Sequence, residues 1–211
     1  MLYGDLKKNY QYKMNKIEEI VVGTNNEGKY KEICDLLPNK IKKHTPKEFG
    51  ILTPEETGKS FEENSFIKAS YFSKKTNLIC LSDDSGLEID LLKGEPGIYS
   101  SRWSGEKNNF NLAIKKIYEK MNNIKKDLEN DNVAKFICCM TLFWPDGKNC
   151  SSRGIIKGKI STTKKGKNGF VYDPIFIPDG YNQTFGEMES KLKMSIDHRF
   201  NAFLKIKKFF I

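Results

Sequence analysis

Residues 78–103 read L-I-C-L-S-D-D-S-G-L-E-I-D-L-L-K-G-E-P-G-I-Y-S-S-R-W, and this stretch decides the class of fold. Residues 78–81 are apolar and have the length and composition of a buried strand. We expect the strand to stop at Ser82, so that two adjacent acids, Asp83 and Asp84, follow at its carboxyl end. Ligands of open α/β sheets bind outside the carboxyl ends of the strands. The stretch therefore predicts an α/β sheet with a functional site at these acids.

Only one of the two acids can easily face a given cleft, because successive side chains of an extended segment point to opposite faces. We expect this acid to be Asp84, acting as a magnesium ligand or as a base toward water. The Ser-Gly pair at residues 85–86 is expected to form a turn after it. The alternative, which is the commoner fate of an arbitrary pair of acids, is that both cap the next element or lie in solvent.

The formal net charge of +9 over 211 residues makes nucleic acid a partner to consider. Only three of the 36 basic residues are arginines, however, and the lysines are scattered along the whole chain. Interfaces that read bases favour arginine, because its planar guanidinium matches guanine edges and phosphates with two hydrogen bonds. We interpret most of this charge as solvated surface and expect no nucleic-acid partner. A nucleic-acid-binding module is the alternative from a different class of function.

The cysteines and the apolar runs bear on the compartment. The five cysteines include no C-x-x-C pair, and three of them lie in apolar runs, which is typical of reduced, buried thiols. No stretch approaches the ~20 apolar residues that a membrane span needs. The N-terminal residues lack the continuous apolar core of a signal peptide. We expect a cytoplasmic protein with no membrane partner.

The order of elements predicts an α/β protein with an N-terminal extension, residues 1–16, and one domain, residues 17–211. The first half is expected to form a strand at 17–24, a helix at about 27–37, a weak strand at 39–45 and a helix within 54–75 that Ser60 caps. The second half is expected to form a helix at 106–121, a surface loop at 122–132, a hairpin of strands 133–144 and 150–161, and a short strand at 175–177. Ser195 is expected to cap a last helix whose inward-facing residues are Phe200, Phe203, Leu204 and Ile206.

The loop after the first strand, G-T-N-N-E-G-K at residues 23–29, matches the first seven places of the P-loop pattern. The eighth place of that pattern is Ser or Thr, which binds magnesium, and this chain has Tyr30 there. A turn from strand to helix still points backbone N–H groups and Lys29 toward an anion. We therefore expect anion binding at this loop. A P-loop ATPase or kinase, with residues 78–83 as its second motif, remains the alternative enzyme.

Two loops carry further candidates. Glu56, just before the second helix, could reach a metal held by Asp84, since Mg²⁺ takes one or two protein carboxylates together with substrate phosphates. An acid near a helix start also simply favours the helix dipole, so a structural role stays open. Phe170 and Tyr172 precede Asp173 in the second loop, where aromatic rings could stack on a base and the acid could accept from a ring N–H. The same aromatic residues could equally fill the core.

Lys193, His198 and Arg199 cluster at the start of the last helix, where free backbone N–H groups would reinforce anion binding. His198 has no cysteine or acid at ligand spacing, which argues against a metal role for it. Contact with a ligand and a structural hydrogen bond are both open for this histidine.

Four motifs now stand in a defined order: T-N-N-E-G-K at 24–29, E-E-T-G…F-E-E-N at 55–64, S-D-D-S-G-L…G-x-P-G-I-Y-S-S-R-W at 82–103, and G-F-V-Y-D-P-I-F at 169–176. Lys193 and the His198-Arg199 pair follow them. Each motif alone is weakly specific, but the ordered set resembles the inosine triphosphate pyrophosphatase family from about Ile17 to the C-terminus.

The resemblance implies a long, twisted mixed β-sheet with flanking helices, forming two lobes with a central substrate cleft. It also implies a homodimer and a requirement for Mg²⁺. The expected reaction is the hydrolysis of non-standard purine nucleoside triphosphates (ITP, dITP and XTP) to the monophosphate and pyrophosphate, which cleanses the nucleotide pool.

The resemblance also implies roles for individual residues at the phosphate end of the substrate. Thr24, Asn25 and Lys29 would hold the triphosphate. Glu56 and Asp84 would bind the metal. Asp84 would also be the base for the attacking water, and Lys29 would be catalytic because it takes up charge on the leaving group.

At the other end of the substrate, Ser85 would contact the nucleotide, and Phe170, Tyr172 and Asp173 would frame the base. The residues that would complete a pocket for a 6-keto purine are Lys193, His198 and Arg199. Arg102 is a weaker candidate.

The chain departs from the family pattern at Phe200 and Asn201, which replace a stretch that contains glycine and for which only local effects are expected, and at two further positions. Val171 stands where glycine is more usual, which tightens the loop that carries the aromatic pair. Asp197 stands where serine is more usual, and an acid there could pair with His198 or Arg199, or repel phosphate. Base selectivity is the property on which these last two departures bear.

Overall fold

The computed structural model describes residues 17–105, 109–124 and 132–211, and a mixed sheet runs through them. Its strands are β1 (Glu19–Val22), β2 (Lys42–His44), β3 (Cys80–Ile89), β4 (Val133–Phe143), β5 (Asn149–Ile160) and β6 (Phe176–Pro178). They lie in the order β2-β1-β3-β4-β5-β6, with β1 parallel to both β2 and β3 and the remaining pairs antiparallel. The predicted α/β class with a mixed sheet is confirmed.

The helices of the described part are α1 (Glu27–Leu36), α2 (Phe61–Thr76), α3 (Phe110–Ile124), α4 (Ser190–Ile196) and α5 (His198–Ile206). Helix α2 packs on β3 and β4, and α5 packs on β4 and β5. Side chains of β3 contact α2 from one position and α5 from the next, so these two helices cover opposite faces of the sheet. None of the helices in the described ranges is long and apolar enough to cross a membrane.

Strand β3 corrects the prediction made at residues 82–86. It does not stop at Ser82, and no turn forms at residues 85–86; the ladder with β4 runs unbroken from Cys80, opposite Phe143, to Ile89, opposite Ala134. Gly86 lies within this strand. The position requires glycine, because a side chain there would collide with the Gly97 carbonyl and the Ser100 hydroxyl. The two acids therefore lie inside the sheet and not at its edge.

Several boundaries also differ from the expected ones. The hairpin β4–β5 forms as predicted, with the turn at residues 145–148. Helix α2 begins at Phe61, and the predicted cap at Ser60 is confirmed, because its side chain accepts a hydrogen bond from Glu63 N. Part of the predicted helix at 106–121 and of the predicted loop at 122–132 lies outside the described residues, as does the N-terminal extension, residues 1–16.

The C-terminal helix is the second correction. Ser195 is not its cap, because the chain breaks at Asp197, whose carboxylate accepts from Phe200 N at 2.8 Å and so begins α5. Phe203 is buried as expected, but Leu204 is 47% exposed. The break at Asp197 sets the helical phase of α5, which turns Leu204 toward solvent.

Two larger apolar clusters lie along one face of the central strands, one toward each end of them. One is built around α3 and β6 and includes Phe136 and Tyr172, and the other is built around α1, β1 and α5. All five cysteines are free, and Cys80, Cys138 and Cys139 are buried. Strands β3 and β4 contribute residues to both clusters and therefore connect the two clusters through the middle of the sheet.

Candidate functional site

A cavity that is partly open to solvent has walls from α1, β3, the loop before α2 and the loops before α4. Most of the residues predicted to form the site line it: Lys29, Glu56, Asp84, Ser85, Phe170, Tyr172, Asp173, Lys193, His198 and Arg199. The lining combines apolar and aromatic side chains with a few charged ones, as sites for small molecules do. The fold thus brings together predicted residues that are up to 170 positions apart in the sequence, Lys29 and Arg199.

Thr24 and Asn25 are the two predicted residues that do not line this cavity. Thr24 accepts from Asn26 N at 3.1 Å, and Asn25 donates to Thr53 Oγ1 at 2.8 Å. Both line a separate depression beside the same loop. Asn26, which sequence reasoning did not single out, lines the main cavity and caps α1 by accepting from Lys29 N at 3.0 Å. The role of Thr24 and Asn25 at the triphosphate stays a prediction.

Asp84 shares its surroundings with Glu56 through a buried lysine. Lys68 Nζ lies 3.7 Å from Asp84 Oδ1 and forms an ion pair with Glu56. Asn64 donates from Nδ2 to Asp84 Oδ2 at 3.1 Å. Sequence reasoning missed both Asn64 and Lys68, which lie one turn apart on the buried face of α2. The sequence pattern that could have indicated them is two polar residues four positions apart on the helix face that also carries Phe61 and Phe72.

The charges of this group shift the pKa of its members. Burial raises the pKa of Asp84, Lys68 and Lys29 lower it, and Glu56 raises it, with a net increase. Burial alone would lower the pKa of Lys68, but the attraction of Asp84 and Glu56 outweighs it, so the pKa of Lys68 is raised. The ammonium therefore stays charged at neutral pH. Asp84 becomes a stronger base than an ordinary aspartate.

Asp83 points away from the cavity and holds two of its cations. The carboxylate is fully buried, and its Oδ2 accepts from Arg199 Nη2 at 3.2 Å and lies 3.5 Å from Lys29 Nζ. Burial would raise the pKa of Asp83, but Lys29 and Arg199 outweigh burial and hold it below the usual range. Of the two adjacent acids, the structure thus places Asp84 in the cavity wall and Asp83 behind it.

Glu32 on α1 joins the cations of the last two helices. Its Oε1 accepts from Lys193 Nζ at 2.6 Å, and its Oε2 forms an ion pair with Arg199. Lys193 also donates to Asp173 Oδ2 at 2.9 Å. Burial alone would lower the pKa of Lys193, but the attraction of Asp173 and Glu32 outweighs burial, so the pKa of Lys193 is raised. Sequence reasoning missed Glu32, because a single acid on a mostly exposed helix has no distinguishing local signal.

The aromatic loop forms another wall. Tyr172 is fully buried and donates from its hydroxyl to Ser100 O at 2.8 Å, so it anchors the loop. Asp173 Oδ2 accepts from Phe170 N at 2.8 Å, and the Phe170 ring lies 5.2 Å from Lys193 Nζ. Val171 adopts a left-handed backbone with φ of 63°. Of the two aromatic residues, Phe170 is only partly buried, so its ring is the one that remains accessible for stacking.

His198 is buried and stacks on Phe136, with ring centroids 4.8 Å apart and an interplanar angle of 12°. Its Nδ1 finds no hydrogen-bond partner within the described residues. Burial, Arg199 and Lys193 together hold the pKa of His198 well below its usual value, so the ring is neutral. A buried polar atom without a partner is costly. The ring nitrogen is thus available to a ligand in the cavity.

Arg102 and Asp197 have structural contacts. Arg102 donates from Nη2 to Glu56 O at 2.8 Å, and its guanidinium lies 5.0 Å from the Tyr99 ring centroid. It holds the loop that carries Glu56. Asp197 caps α5, and burial raises its pKa to about 6. Among the described ion pairs it has none with His198 or Arg199.

The donors that could bind a metal are the carboxylates of Glu56 and Asp84, which both line the cavity. No group of three or more His, Cys, Asp or Glu residues suited to a metal occurs within residues 17–105, 109–124 and 132–211. Lys68 forms ion pairs with both of these acids, so the two carboxylates outnumber the cation that pairs with them. These two carboxylates fit an Mg²⁺ ion whose other ligands are phosphate oxygens and water.

Comparisons with known proteins show which family this chain resembles. The model of the Ham1 family matches residues 20–209. The dITP/XTP pyrophosphatase of Zymomonas mobilis is 38% identical over 188 residues, which is 89% of each chain. That of Caulobacter vibrioides is 38% identical over 90% of this chain and 96% of its own. Among solved structures, a HAM1 protein from Coxiella burnetii superposes with a TM-score of 0.81 at 35% identity, covering 90% of this chain and 96% of the other.

Proposed function

The chain belongs to the Ham1 family, and we propose that it is a pyrophosphatase that converts non-standard purine nucleoside triphosphates (ITP, dITP and XTP) to the monophosphate and pyrophosphate. The observation that carries the proposal is the pairing of Asp84 with Glu56 and Lys68 in a cavity that Lys29 also lines. Such a site suits attack on phosphorus by water, because a carboxylate and cations face one another across it.

Asp84 is the proposed base. Water attacks the α-phosphorus, the bond from that phosphorus to the bridging oxygen breaks, and pyrophosphate leaves with this oxygen. Asp84 takes a proton from the attacking water, which its raised pKa favours. Lys29 neutralises charge on the leaving pyrophosphate, and Asp83 supports it from behind.

Glu56 and Asp84 are the proposed ligands of Mg²⁺. The bound ion would supply positive charge to the triphosphate and its leaving group. The support for this proposal is the excess of acid over base around Lys68, together with the resemblance described above. When the ion is bound, Lys68 would keep the two carboxylates close together in spite of their repulsion.

The proposed base pocket prefers a 6-keto purine. Phe170 would stack on the ring, and the neutral imidazole of His198 would hydrogen-bond its edge. A pocket that donates to an O6 atom leaves its donor unpaired beside the amino group of adenine, so ATP would be rejected. Lys193 is held by Asp173 and Glu32 and would contribute positive charge to this pocket.

The surroundings of the enzyme are also part of the proposal. We propose a homodimer, which the family resemblance supports, and a cytoplasmic location, which the five free cysteines support. No nucleic-acid partner is proposed, since the lysines are scattered along the chain.

A product assay with Mg²⁺ tests the proposal, with ITP and XTP compared against ATP and GTP and with pyrophosphate and phosphate measured separately. We expect monophosphate and pyrophosphate, formed much faster from ITP or XTP, and loss of turnover in Asp84→Asn. Phosphate and diphosphate from ATP would instead support a P-loop type of enzyme. Absence of turnover with every triphosphate would exclude both, and a salt titration of DNA binding would then test the remaining alternative.

A further inference from the structure

Asn64 is a fully buried amide in the first turn of α2, and both of its ends are used. Its Oδ1 accepts from Gly58 N at 2.9 Å, and its Nδ2 donates to Asp84 Oδ2 at 3.1 Å. Because a backbone N–H can only donate, the contact with Gly58 fixes which end of the amide is oxygen and directs the NH₂ group at Asp84.

Gly58 lies in the loop that carries Glu56, two residues further on. A side-chain carbon at Gly58 would lie 2.6 Å from Asn64 Oδ1 and 2.7 Å from Glu63 Cβ, so this loop runs in direct contact with the start of α2. The other hydrogen bonds to the main chain of this loop, from Arg102 to Glu56 O and from Lys59 N to Glu63, are exposed. Asn64 is therefore a buried link between the main chain of the Glu56 loop and the carboxylate of Asp84, beside the link that Lys68 makes between the two side chains.

The two oxygens of Asp84 have different partners. Oδ1 accepts from Ser85 N at 3.0 Å and lies 3.7 Å from Lys68 Nζ, whereas Oδ2 accepts from Asn64. Three contacts at fixed positions define the plane of the carboxylate. The hydrogen bond from Asn64 to Oδ2 keeps the carboxylate from rotating so that both of its oxygens face Lys68.

We propose that Asn64 is a positioning residue, which couples the Glu56 loop to Asp84 so that both carboxylates are held toward the cavity in one arrangement. This inference rests on the proposed function, because Glu56 and Asp84 have their roles there. Asn64 acts through its neighbours and does not itself touch the reacting atoms.

Two substitutions separate the two halves of the link. Asn64→Ala removes both hydrogen bonds, whereas Asn64→Asp keeps an acceptor for Gly58 N and turns an oxygen toward Asp84. Ser60→Ala is the matched control, since it removes the cap at the same end of the same helix without altering the contacts of Asn64. Hydrogen exchange of the amides at residues 55–59 in metal-free protein, kcat and KM for ITP, and Tm are measured for all of them.

We expect Asn64→Ala to lose protection of the Gly58 amide and Asn64→Asp to keep it. Both are expected to lower kcat by about 10²-fold with KM roughly unchanged, because a misplaced carboxylate affects the transition state more than binding. Ser60→Ala is expected to lower Tm and leave kcat within about twofold of the wild type.

Other results overturn the inference. If either Asn64 variant lowers Tm like the control but keeps its kcat, Asn64 is structural only, and the proposed function stands. If the Gly58 amide stays protected in Asn64→Ala, the link to the loop does not exist. If the wild type turns over no triphosphate, the proposed function and this inference fail together.

Discussion

Val171 is the residue at which the backbone of the site is most unusual. A β-branched residue with a φ of 63° is an outlier, and such strain costs on the order of 1–3 kcal/mol. Its side chain packs partly against the apolar cluster of α3 and β6, and its main chain joins Phe170 to Tyr172. The surrounding contacts, above all the anchors at Tyr172 and Asp173, hold the strained turn in place.

This strain has a testable consequence for small substitutions at Val171. Alanine usually stabilises a chain relative to glycine, but in a left-handed conformation its Cβ costs roughly 1–2 kcal/mol. We expect Val171→Gly to be more stable than Val171→Ala by about 1 kcal/mol in urea unfolding, since both lose the two methyl groups of valine and only alanine keeps a Cβ in the left-handed conformation. The reverse order would show that residue 171 does not hold a left-handed conformation in solution.

At the scale of elements, Asp197 begins α5 with a buried carboxylate. Its pKa is raised by burial to about 6, against roughly 3.9 for an unperturbed aspartate. The folded protein therefore binds this proton more tightly than the unfolded chain does. As pH rises from about 4 to about 6, ionisation of Asp197 lowers the free energy of unfolding, and above pH 6 the full cost is present.

Asp197→Asn should remove this cost and keep the cap, because asparagine caps helices as well as aspartate does. We expect the variant to be more stable than the wild type by about 1–3 kcal/mol at pH 7.5 and nearly equal to it at pH 4. Urea unfolding at the two pH values measures the difference. An advantage of the same size at both would mean that ionisation of Asp197 is not its cause.

Elements with local signals were predictable, and those stabilised by distant residues were less so. The hairpin β4–β5 has one almost continuously apolar strand, one strand whose side chains mostly alternate between the two faces, and a Pro-Asp-Gly turn, so its pattern is sufficient. The predicted end of strand β3 at Ser82 is too early, because two consecutive acids are typical of a loop. They are tolerated in a buried strand only because Lys29, Lys68 and Arg199 neutralise them, and no local pattern shows that these residues meet there.

The same reasoning separates the parts of the site. Ordered motifs indicated Asp84, Lys193 and Arg199, which the fold brings to one cavity. Glu32 and Asn64 act through contacts with residues 161 and 20 positions away, and these contacts follow from the packing of α1 and α2. Ser195 was predicted as the cap, but serine and aspartate both cap helices, so residue type alone does not distinguish it from Asp197. The break in the helix that decides between them is set by the packing of α5 on β5.

At the scale of the whole molecule, a nucleotide with Mg²⁺ would contact residues from both faces of the sheet, because the cavity is lined by Asp84, which faces α2, and by Arg199 of α5 on the other face. Glu56 and Asp84 are already neutralised in part by Lys68, so Mg²⁺ alone has little to gain from them. Phosphate oxygens supply the missing ligands. Metal and nucleotide should therefore stabilise the fold together and not separately.

We expect Mg²⁺ alone to leave the Tm of the protein almost unchanged, and Mg²⁺ with a non-hydrolysable analogue of ITP to raise it clearly. At a free ligand concentration of about 100 times Kd, the free energy of unfolding should increase by roughly 2.7 kcal/mol. Thermal unfolding with metal, analogue, both, and an ATP analogue as the control measures this. An equal rise with Mg²⁺ alone would mean that the protein holds the ion without phosphate, because only a preformed site can bind before the nucleotide arrives. An equal rise with the ATP analogue would place base selectivity in the reaction step and not in binding.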